Sequence, residues 1–179
     1  KNISIIMKII LSDKISKILR NKDFLENRLN VKIRNIGREI SIEGSPEDEY
    51  IAEKVIDAIN FGFPLSNALQ ILDEEFLFEI LNIKNYTKRK DLTRIKARII
   101  GTKGKTFQSL CQLTKCCFEL KDNEVGIIGS AECIKNAEDA VKYLIHGSKQ
   151  ANVYAKLEKN QPTPILDLGL KKPKKKKSP

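Results

Sequence analysis

The residues in this sequence best suited to chemistry are Gly101-Thr102-Lys103-Gly104, which lie between two segments of helical pattern. Glycines that flank a polar pair allow a tight turn and let the backbone approach a ligand closely, because neither carries a Cβ atom. A helix that starts at Lys105 would direct its free N–H groups and the positive end of its dipole toward that turn. Lys103 and Lys105 add positive charge at the same place. The segment is therefore predicted to bind phosphate groups.

The alternative to a binding function is catalysis. Consecutive acidic residues at 47–49 and 73–75 could supply the metal ligands of a nuclease. Two-metal chemistry needs carboxylates that converge from separate elements, whereas adjacent acids on one segment suit helix starts and solvated turns. The cysteines at 111, 116, 117 and 133 lack paired C-x-x-C spacing, and the single histidine is His146. We therefore expect no enzyme activity, no cofactor and no metal site.

Positive charge is concentrated at the end of the chain. The formal net charge is +10 over 179 residues, and six of the last nine residues are lysines, which leaves +4 for residues 1–170. A basic tail beside a phosphate-binding loop favours a polyanionic partner such as nucleic acid. Residues 1–11 are apolar but contain Lys8, and a membrane span would need about 20 apolar residues. We expect a cytoplasmic protein without a membrane partner.

The chain contains two similar segments that indicate a tandem duplication. One opens with Gly44-Ser45 and ends at Gly62, and the other opens 85 residues later with Gly129-Ser130 and ends at Gly147. Both carry Ala-Glu at the same place, and both are typical of an amphipathic helix that ends at a glycine. Two short strand patterns separated by turn residues precede each helix.

Each half is predicted to follow the order β-α-α-β-β-α. In the first half we predict a strand at 3–11, helices at 14–19 and 24–29, strands at 31–35 and 39–43, and the helix that ends at Gly62. In the second half we predict a strand at 76–83, helices at 90–100 and 105–115, strands at 117–121 and 124–128, and the helix that ends at Gly147. Residues 65–72 are predicted to form a linking helix and residues 151–160 a last helix.

The first half lacks the glycine loop. Arg20 and Asp23 stand where the second half has Gly101 and Gly104, and the first half is four residues shorter after this point. Four residues are about one helical turn. Because an acidic side chain stands where a phosphate would approach, the first half is predicted not to clamp a nucleic-acid backbone.

The order β-α-α-β-β-α, with Ile-Ile-Gly-x-x-Gly between the two helices, resembles that of type I KH domains. In KH domains the GXXG loop clamps the backbone of about four single-stranded nucleotides. Several segments are more narrowly similar to archaeal KH proteins of the Dim/Pno family, most closely over residues 60–160. They are Phe61-Gly62-Phe63 with Ala68–Glu74, Arg94–Thr106, Ile127-Ile128-Gly129 and Asn152–Lys159.

The resemblance implies an α+β fold with two tandem type I KH domains, each a three-stranded antiparallel sheet covered by three helices. The implied organisation is a degenerate KH domain without GXXG at 1–62, a linker helix at 63–75, and a KH domain with GXXG plus a C-terminal helix at 76–161. The composition of residues 162–179, rather than the resemblance, predicts a basic, disordered tail there. The degenerate copy would serve as a scaffold or a protein-docking face.

The resemblance also implies a non-catalytic ribosome-assembly factor that binds single-stranded RNA. Its relatives act in 3′-end maturation of small-subunit rRNA together with a PIN-domain endonuclease, and some are linked to the α subunit of translation initiation factor two. The RNA contacts would come from Arg98, Ile99, Ile100, Gly101, Thr102, Lys103, Gly104, Lys105 and Thr106. One of Ile99 and Ile100 is predicted to be core and the other to line the groove for bases, and Phe107 is predicted to be core.

The residues taken by themselves leave other functions open. A general KH adaptor in translation initiation or mRNA handling would use the same loop. A metal-dependent nuclease would need the acidic clusters, and a protein-docking adaptor would have an incidental glycine pair. An RNA-binding assay distinguishes the docking adaptor, and a cleavage assay with divalent ions distinguishes the nuclease.

Deletion of residues 171–179 is expected to weaken RNA binding to the same extent for every RNA sequence. Lysines that contact phosphates position a protein without choosing among sequences. For single strands the salt dependence has a slope of about 0.7 per neutralised phosphate, so full engagement of the tail's lysines would contribute about 4 to the slope. Affinities measured across a salt series test this, and an unchanged slope would mean that the tail does not touch RNA.

Overall fold

Two three-stranded antiparallel sheets, each covered by helices, organise the computed structural model, which describes residues 8–11, 14–37 and 39–160. The strand order is β1-β3-β2 in the first sheet and β4-β6-β5 in the second. In both sheets the central strand is therefore the last to occur in the chain. The predicted α+β class with antiparallel sheets is confirmed.

The elements of the first half are β1 (Lys8–Leu11), α1 (Ile15–Arg20), α2 (Lys22–Leu29), β2 (Lys32–Ile36), β3 (Glu39–Glu43) and α3 (Pro46–Phe61). A connection follows, with α4 (Leu65–Ala68) and a 3-10 helix at Leu69–Leu72. The elements of the second half are β4 (Phe76–Asn82), a 3-10 helix at Ile83–Tyr86, α5 (Leu92–Ile100), a 3-10 turn at Thr102–Gly104, α6 (Lys105–Thr114), β5 (Cys117–Lys121), β6 (Glu124–Ser130), α7 (Ala131–His146) and α8 (Gln150–Asn160).

These bounds differ from the predicted ones by one or two residues at several element ends, and side chains account for two of the differences. The Asp91 carboxylate accepts from the backbone N–H of Arg94, so α5 begins at Leu92 rather than at residue 90. Asn82 accepts from the N–H of Lys84 and ends β4 in a 3-10 turn. The start of the predicted first strand, residues 3–7, and the predicted tail at 162–179 lie outside the described residues.

The acidic residues at 47–49 belong to a helix start. The Ser45 hydroxyl accepts from the N–H of Asp48 at 3.2 Å, and Pro46 occupies the first helical position. The carboxylate of Glu49, which is buried, accepts from the N–H of Gly44 at 3.0 Å. This arrangement caps α3, and the negative charges lie near the positive end of its dipole.

The central strand of the second sheet, β6, is buried on both faces. On one face, side chains of β5 and β6, among them Phe118, Val125 and Ile127, join the core formed with α5, α6 and α7. On the other face, Ile128 lies in the core of the first half, with Phe78 packed against it. The sheet is therefore a shared wall between the two halves of the chain.

Aromatic rings fill the contact between the halves. The ring centroids of Phe61, Phe63 and Phe78 lie 5.8–6.0 Å apart. A Cβ atom at Gly126 would lie 2.7 Å from Cε1 of Phe61 and 2.8 Å from Cε2 of Phe63. The absence of a side chain at Gly126 thus allows the rings to lie directly on the sheet.

Two lysines donate to carbonyls at the edges of this apolar contact, and the bond from Lys121 to Asn60 joins the two halves. The ammonium group of Lys17 donates to the carbonyl of Phe63 at 2.7 Å, and that of Lys121 donates to the carbonyl of Asn60 at 3.2 Å. Both acceptors lie at or just after the C-terminus of α3, where carbonyl groups lack helical partners. Among the described residues, no helix is long and apolar enough to cross a membrane.

Gly126→Ala is expected to lower the free energy of unfolding of the whole chain by about 1–3 kcal/mol, because the new methyl group overlaps two rings. The double variant Gly126→Ala, Phe61→Leu should recover part of this loss, since leucine has no Cε1 atom. Denaturant unfolding monitored by circular dichroism measures both. A Gly126→Ala chain that is as stable as the wild type would show that the halves do not pack this closely.

Candidate nucleic-acid interface

The GXXG segment is a tight turn between α5 and α6. The N–H of Gly101 donates to the carbonyl of Ala97 at 2.8 Å and ends α5. Gly101, Lys103 and Gly104 all have positive φ angles, of 76°, 54° and 76°. Three left-handed positions within four residues reverse the chain, and α6 begins at once at Lys105.

The two glycines are required for different reasons. A Cβ atom at Gly101 would lie 2.0 Å from Oγ1 of Thr106 and 2.7 Å from its Cβ atom, so both space and φ exclude a side chain. At Gly104 no atom lies within 4 Å of the corresponding position, and only the φ angle favours glycine. The first glycine therefore lets α5 and α6 meet, and the second sets the direction in which α6 leaves.

The turn presents positive charge to solvent at the start of α6. Gly104 is the N-cap of the ten-residue α6 and has no side chain to accept from its first N–H groups, and the first turn contains no acidic residue. Thr102, Lys103 and Lys105 are exposed. The N–H groups of Gly104 and Lys105 donate to the carbonyls of Gly101 and Thr102, so the helix dipole and the two ammonium groups are what favour an anion such as a phosphate here.

The two isoleucines before the loop have different environments. Ile99 is fully buried in the core of the second half, whereas Ile100 is 37% exposed beside the turn. The prediction that one of the two is core is confirmed. The exposed Ile100 adds apolar surface next to the turn.

The structure places two of the predicted contact residues, Arg98 and Thr106, within the fold. The Arg98 guanidinium donates through Nη2 to the carbonyls of Gly147 and Ser148, both at 2.7 Å. The side chain of Thr106 is buried, and its Oγ1 accepts from Nε2 of Gln150 at 2.8 Å. Their side chains therefore hold the turn in place and are not presented to solvent as those of Lys103 and Lys105 are.

Gln150 is a residue that sequence reasoning missed. Its side-chain amide donates to Thr106 and, at 3.2 Å, to the backbone carbonyl of Arg98. It thereby connects the start of α8 to the end of α5 and the start of α6. No local pattern marks this role, because Gln150 lies more than 40 residues from either partner.

Phe107 packs inward, as predicted. The ring is partly buried against the core of the second half, and its centroid lies 5.9 Å from that of Phe118. It is therefore placed to stabilise α6 on the sheet rather than to stack on a base.

The corresponding position in the first half holds no loop. Asn21 alone separates α1 from α2, has a φ angle of −114°, and donates from its side chain to the carbonyl of Lys17. Arg20 and Asp23 are exposed on either side of it. This junction offers no glycine with a positive φ angle, and Asp23 places a carboxylate in the first turn of α2, where a phosphate would approach.

Metal and thiol chemistry find little support in the described residues. Within the described ranges, no group of three or more His, Cys, Asp or Glu side chains could hold a metal ion. Burial raises the pKa of the Cys116 thiol to about 11 and also raises the pKa of Cys111 and Cys117. These thiols are therefore protonated at neutral pH and are poor nucleophiles and metal ligands.

Comparisons with known proteins identify the fold. The family model for the second KH domain of PNO1, a eukaryotic-type KH domain (KH-domain type I), matches residues 77–162. A chain in the crystal structure of the a/eIF2alpha–aDim2p–rRNA complex of Pyrococcus horikoshii superposes with a TM-score of 0.80 at 26% identity, over 88% of this chain and 95% of that chain. The α+β fold is thus of KH type.

Curated relatives carry the same family name. The RNA-binding protein pno1 of Dictyostelium discoideum is 33% identical over 74% of this chain and 57% of its own length. The pre-rRNA-processing protein pno1 of Schizosaccharomyces pombe is 31% identical over the same shares of the two chains. The chain spans between half and two thirds of the length of the curated relatives that it matches. On this evidence the chain belongs to the KH-domain family of PNO1 and Dim2 proteins.

Proposed function

We propose that this protein is a non-catalytic, single-stranded RNA-binding factor that acts in maturation of the small ribosomal subunit. The observation that carries the proposal is the turn at residues 101–105, where Lys103 and Lys105 face solvent at the start of α6 beside the exposed Ile100. The names of the relatives support it, because they describe RNA-binding and pre-rRNA-processing proteins.

The predicted site residues would have separate roles in binding. Gly101, Thr102, Lys103, Gly104 and Lys105 would clamp the RNA backbone. Ile100 would line the floor on which bases lie, with Ile99 beneath it in the core. Arg98 and Thr106 would fix the turn against α7 and α8 through the bonds described above.

We propose that the first half is a degenerate KH domain that supports the second. It follows the same order of elements around a three-stranded sheet, and its core reaches the outer face of the second sheet. The domain limits of 1–62 and 76–161, with a connection at 63–75, follow from this reading. A scaffold role fits a junction at Asn21 that offers no phosphate site.

The RNA is proposed to be small-subunit rRNA near its 3′ end, and the partners to include the PIN-domain endonuclease that cuts there. The α subunit of translation initiation factor two is a further candidate partner, since the Pyrococcus horikoshii complex contains a/eIF2alpha, aDim2p and rRNA. Crosslinking to RNA in cells, followed by mapping of the sites, tests this part. A cluster of sites near the rRNA 3′ end is expected, and a scatter across mRNAs would contradict it.

The loop is best tested at Lys103, because replacement of either glycine would itself distort the turn. Lys103→Asp preserves a left-handed conformation, which aspartate tolerates, and reverses the charge that faces the RNA. Lys115→Asp is the matched control, since Lys115 is also an exposed lysine, has a φ angle of 56° and lies at the opposite end of α6.

Lys103→Asp is expected to weaken binding of single-stranded RNA about tenfold or more, the value of a lost hydrogen bond to a charged group. Lys115→Asp should bind like the wild type. Fluorescence anisotropy with a labelled RNA measures both, and thermal unfolding checks that each variant is folded. Equal affinities of the two folded variants would refute the assigned site.

Gln150 is expected to act by positioning the turn. Gln150→Leu removes the donor to Thr106 and to the Arg98 carbonyl, and should lower RNA affinity about two- to tenfold, the equivalent of one hydrogen bond. Thr106→Val should have the same effect, whereas Thr106→Ser keeps the hydroxyl and should retain affinity. The N–H resonances of residues 101–104 should shift in the first two variants and not in the third.

A purely structural role for Gln150 would give a different pattern. In that case Gln150→Leu would lower the unfolding temperature but leave both RNA affinity and the loop resonances unchanged.

A further inference from the structure

A second, strongly basic surface lies beside the GXXG turn on the second half. It is a groove between the segment from Lys84 to Arg98 and the C-terminal end of α7. Its wider part, beside residues 84–89 and His146, has a volume of about 750 Å³ and is open to solvent. Its narrower part runs along α5 past Arg94 to Arg98, and the two parts meet at Arg89 and Ile145. We name the whole the α5–α7 groove.

The charge in this groove is predominantly positive. Five basic side chains line it, those of Lys84, Lys88, Arg89, Arg94 and Arg98, together with the imidazole of His146. The only carboxylate in the lining is that of Asp91, which accepts from the backbone N–H of Arg94 as the cap of α5.

Packing explains only one of these cations. Arg98 is bound to the two carbonyls that follow α7. Lys84, Lys88, Arg89 and Arg94 are exposed, and within the described ranges none of them forms an ion pair. Like charges on one exposed surface repel one another by an amount that solvent keeps small, and an anionic ligand in the groove would relieve that repulsion.

We propose that the α5–α7 groove binds a further stretch of RNA backbone, continuous with the strand held at the GXXG turn. The inference rests on the proposed function, since it names where the bound strand continues. Arg98 lies three residues before Gly101, and Arg94 lies about 10 Å from the turn at 1.5 Å per helical residue. A strand held at the turn therefore has a neighbouring segment within reach of the groove.

The shape of the groove favours a polymer over a small anion. Small-molecule sites enclose most of the ligand's surface and are mainly apolar, whereas this groove is open and lined by long, flexible cations. Side chains of this kind track a phosphate backbone without reading its bases. The groove would therefore add affinity and salt dependence but little sequence preference.

The test measures how a short and a long RNA bind to the full chain and to two variants of it, each of which lacks one pair of arginines. The short probe is a single-stranded RNA of about four nucleotides from the 3′ end of small-subunit rRNA, which only the GXXG turn can hold, and the long probe extends it to about twelve nucleotides. The variant is Arg89→Gln, Arg94→Gln. The matched control is Arg20→Gln, Arg28→Gln, which removes two exposed arginines from α1 and α2.

The groove variant should bind the short RNA like the wild type and the long RNA more weakly. At about 0.7 per phosphate contact, loss of two contacts should lower the salt slope for the long RNA by about 1.4. The ratio of wild-type to variant affinity should then shrink about sevenfold between about 50 and about 200 mM salt. The control pair should leave both probes and the slope unchanged. Lys84→Gln, Lys88→Gln provides an independent variant should the arginine pair affect folding.

Three results would overturn the proposal. An unchanged affinity and slope for the long RNA in both groove variants would assign the groove to another anion, such as an acidic protein surface. An equal loss for the short RNA would mean that these residues act at the turn itself, and an equal loss in the control pair would mean that net charge alone is responsible. Failure of the wild-type chain to bind either RNA would instead reject the proposed function.

Discussion

The close contact between Gly101 and Thr106 is the constraint on which the rest of the candidate site depends. Because no Cβ atom stands at Gly101, the Thr106 hydroxyl can occupy that space. Thr106 is then buried where it meets the amide of Gln150, which also reaches the last turn of α5. One missing methyl group thus brings the end of α5, the start of α6 and the start of α8 into a single hydrogen-bonded cluster. The charged part of the turn is left outside that cluster, facing solvent.

The same topological position serves different purposes in the two halves. In the second half, the end of α5 and the start of α6 form an exposed turn. In the first half, Lys17 of α1 donates to the carbonyl of Phe63, and the short junction at Asn21 is closed by its own side chain. In the first half these groups therefore form contacts within the chain. Its core in turn covers the outer face of the second sheet, so the element that carries the turn rests on a wall buried on both sides.

Much of the fold could be predicted from local patterns. Short segments of the sequence contain the alternation of the strands, the helix stops at Gly62 and Gly147, and the glycine pair at 101 and 104. It could be predicted that one of Ile99 and Ile100 is buried and the other exposed. Which of them is buried could not be predicted, because that depends on how α5 packs. Gln150, the burial of Thr106 and the partners of Arg98 could not be predicted, since their contacts join residues more than 40 positions apart.

The groove illustrates the same limit for charge. In the sequence, Arg89 belongs to the run Lys88-Arg89-Lys90, whereas Arg94 and Arg98 follow singly, and only the fold of α5 against α7 shows that all three line one groove. In the first half the structure pairs basic residues with carboxylates, as Arg34 does with Glu43 at 3.0 Å. Exposed pairs of that kind contribute about 0–1 kcal/mol, so leaving an arginine unpaired costs the fold little. An arginine held ready for a phosphate, by contrast, forms a charge-assisted hydrogen bond that is about twice as strong as a neutral one. Unpaired cations along α5 therefore destabilise the fold little and leave their donors available to phosphates, as the proposed contact with RNA requires.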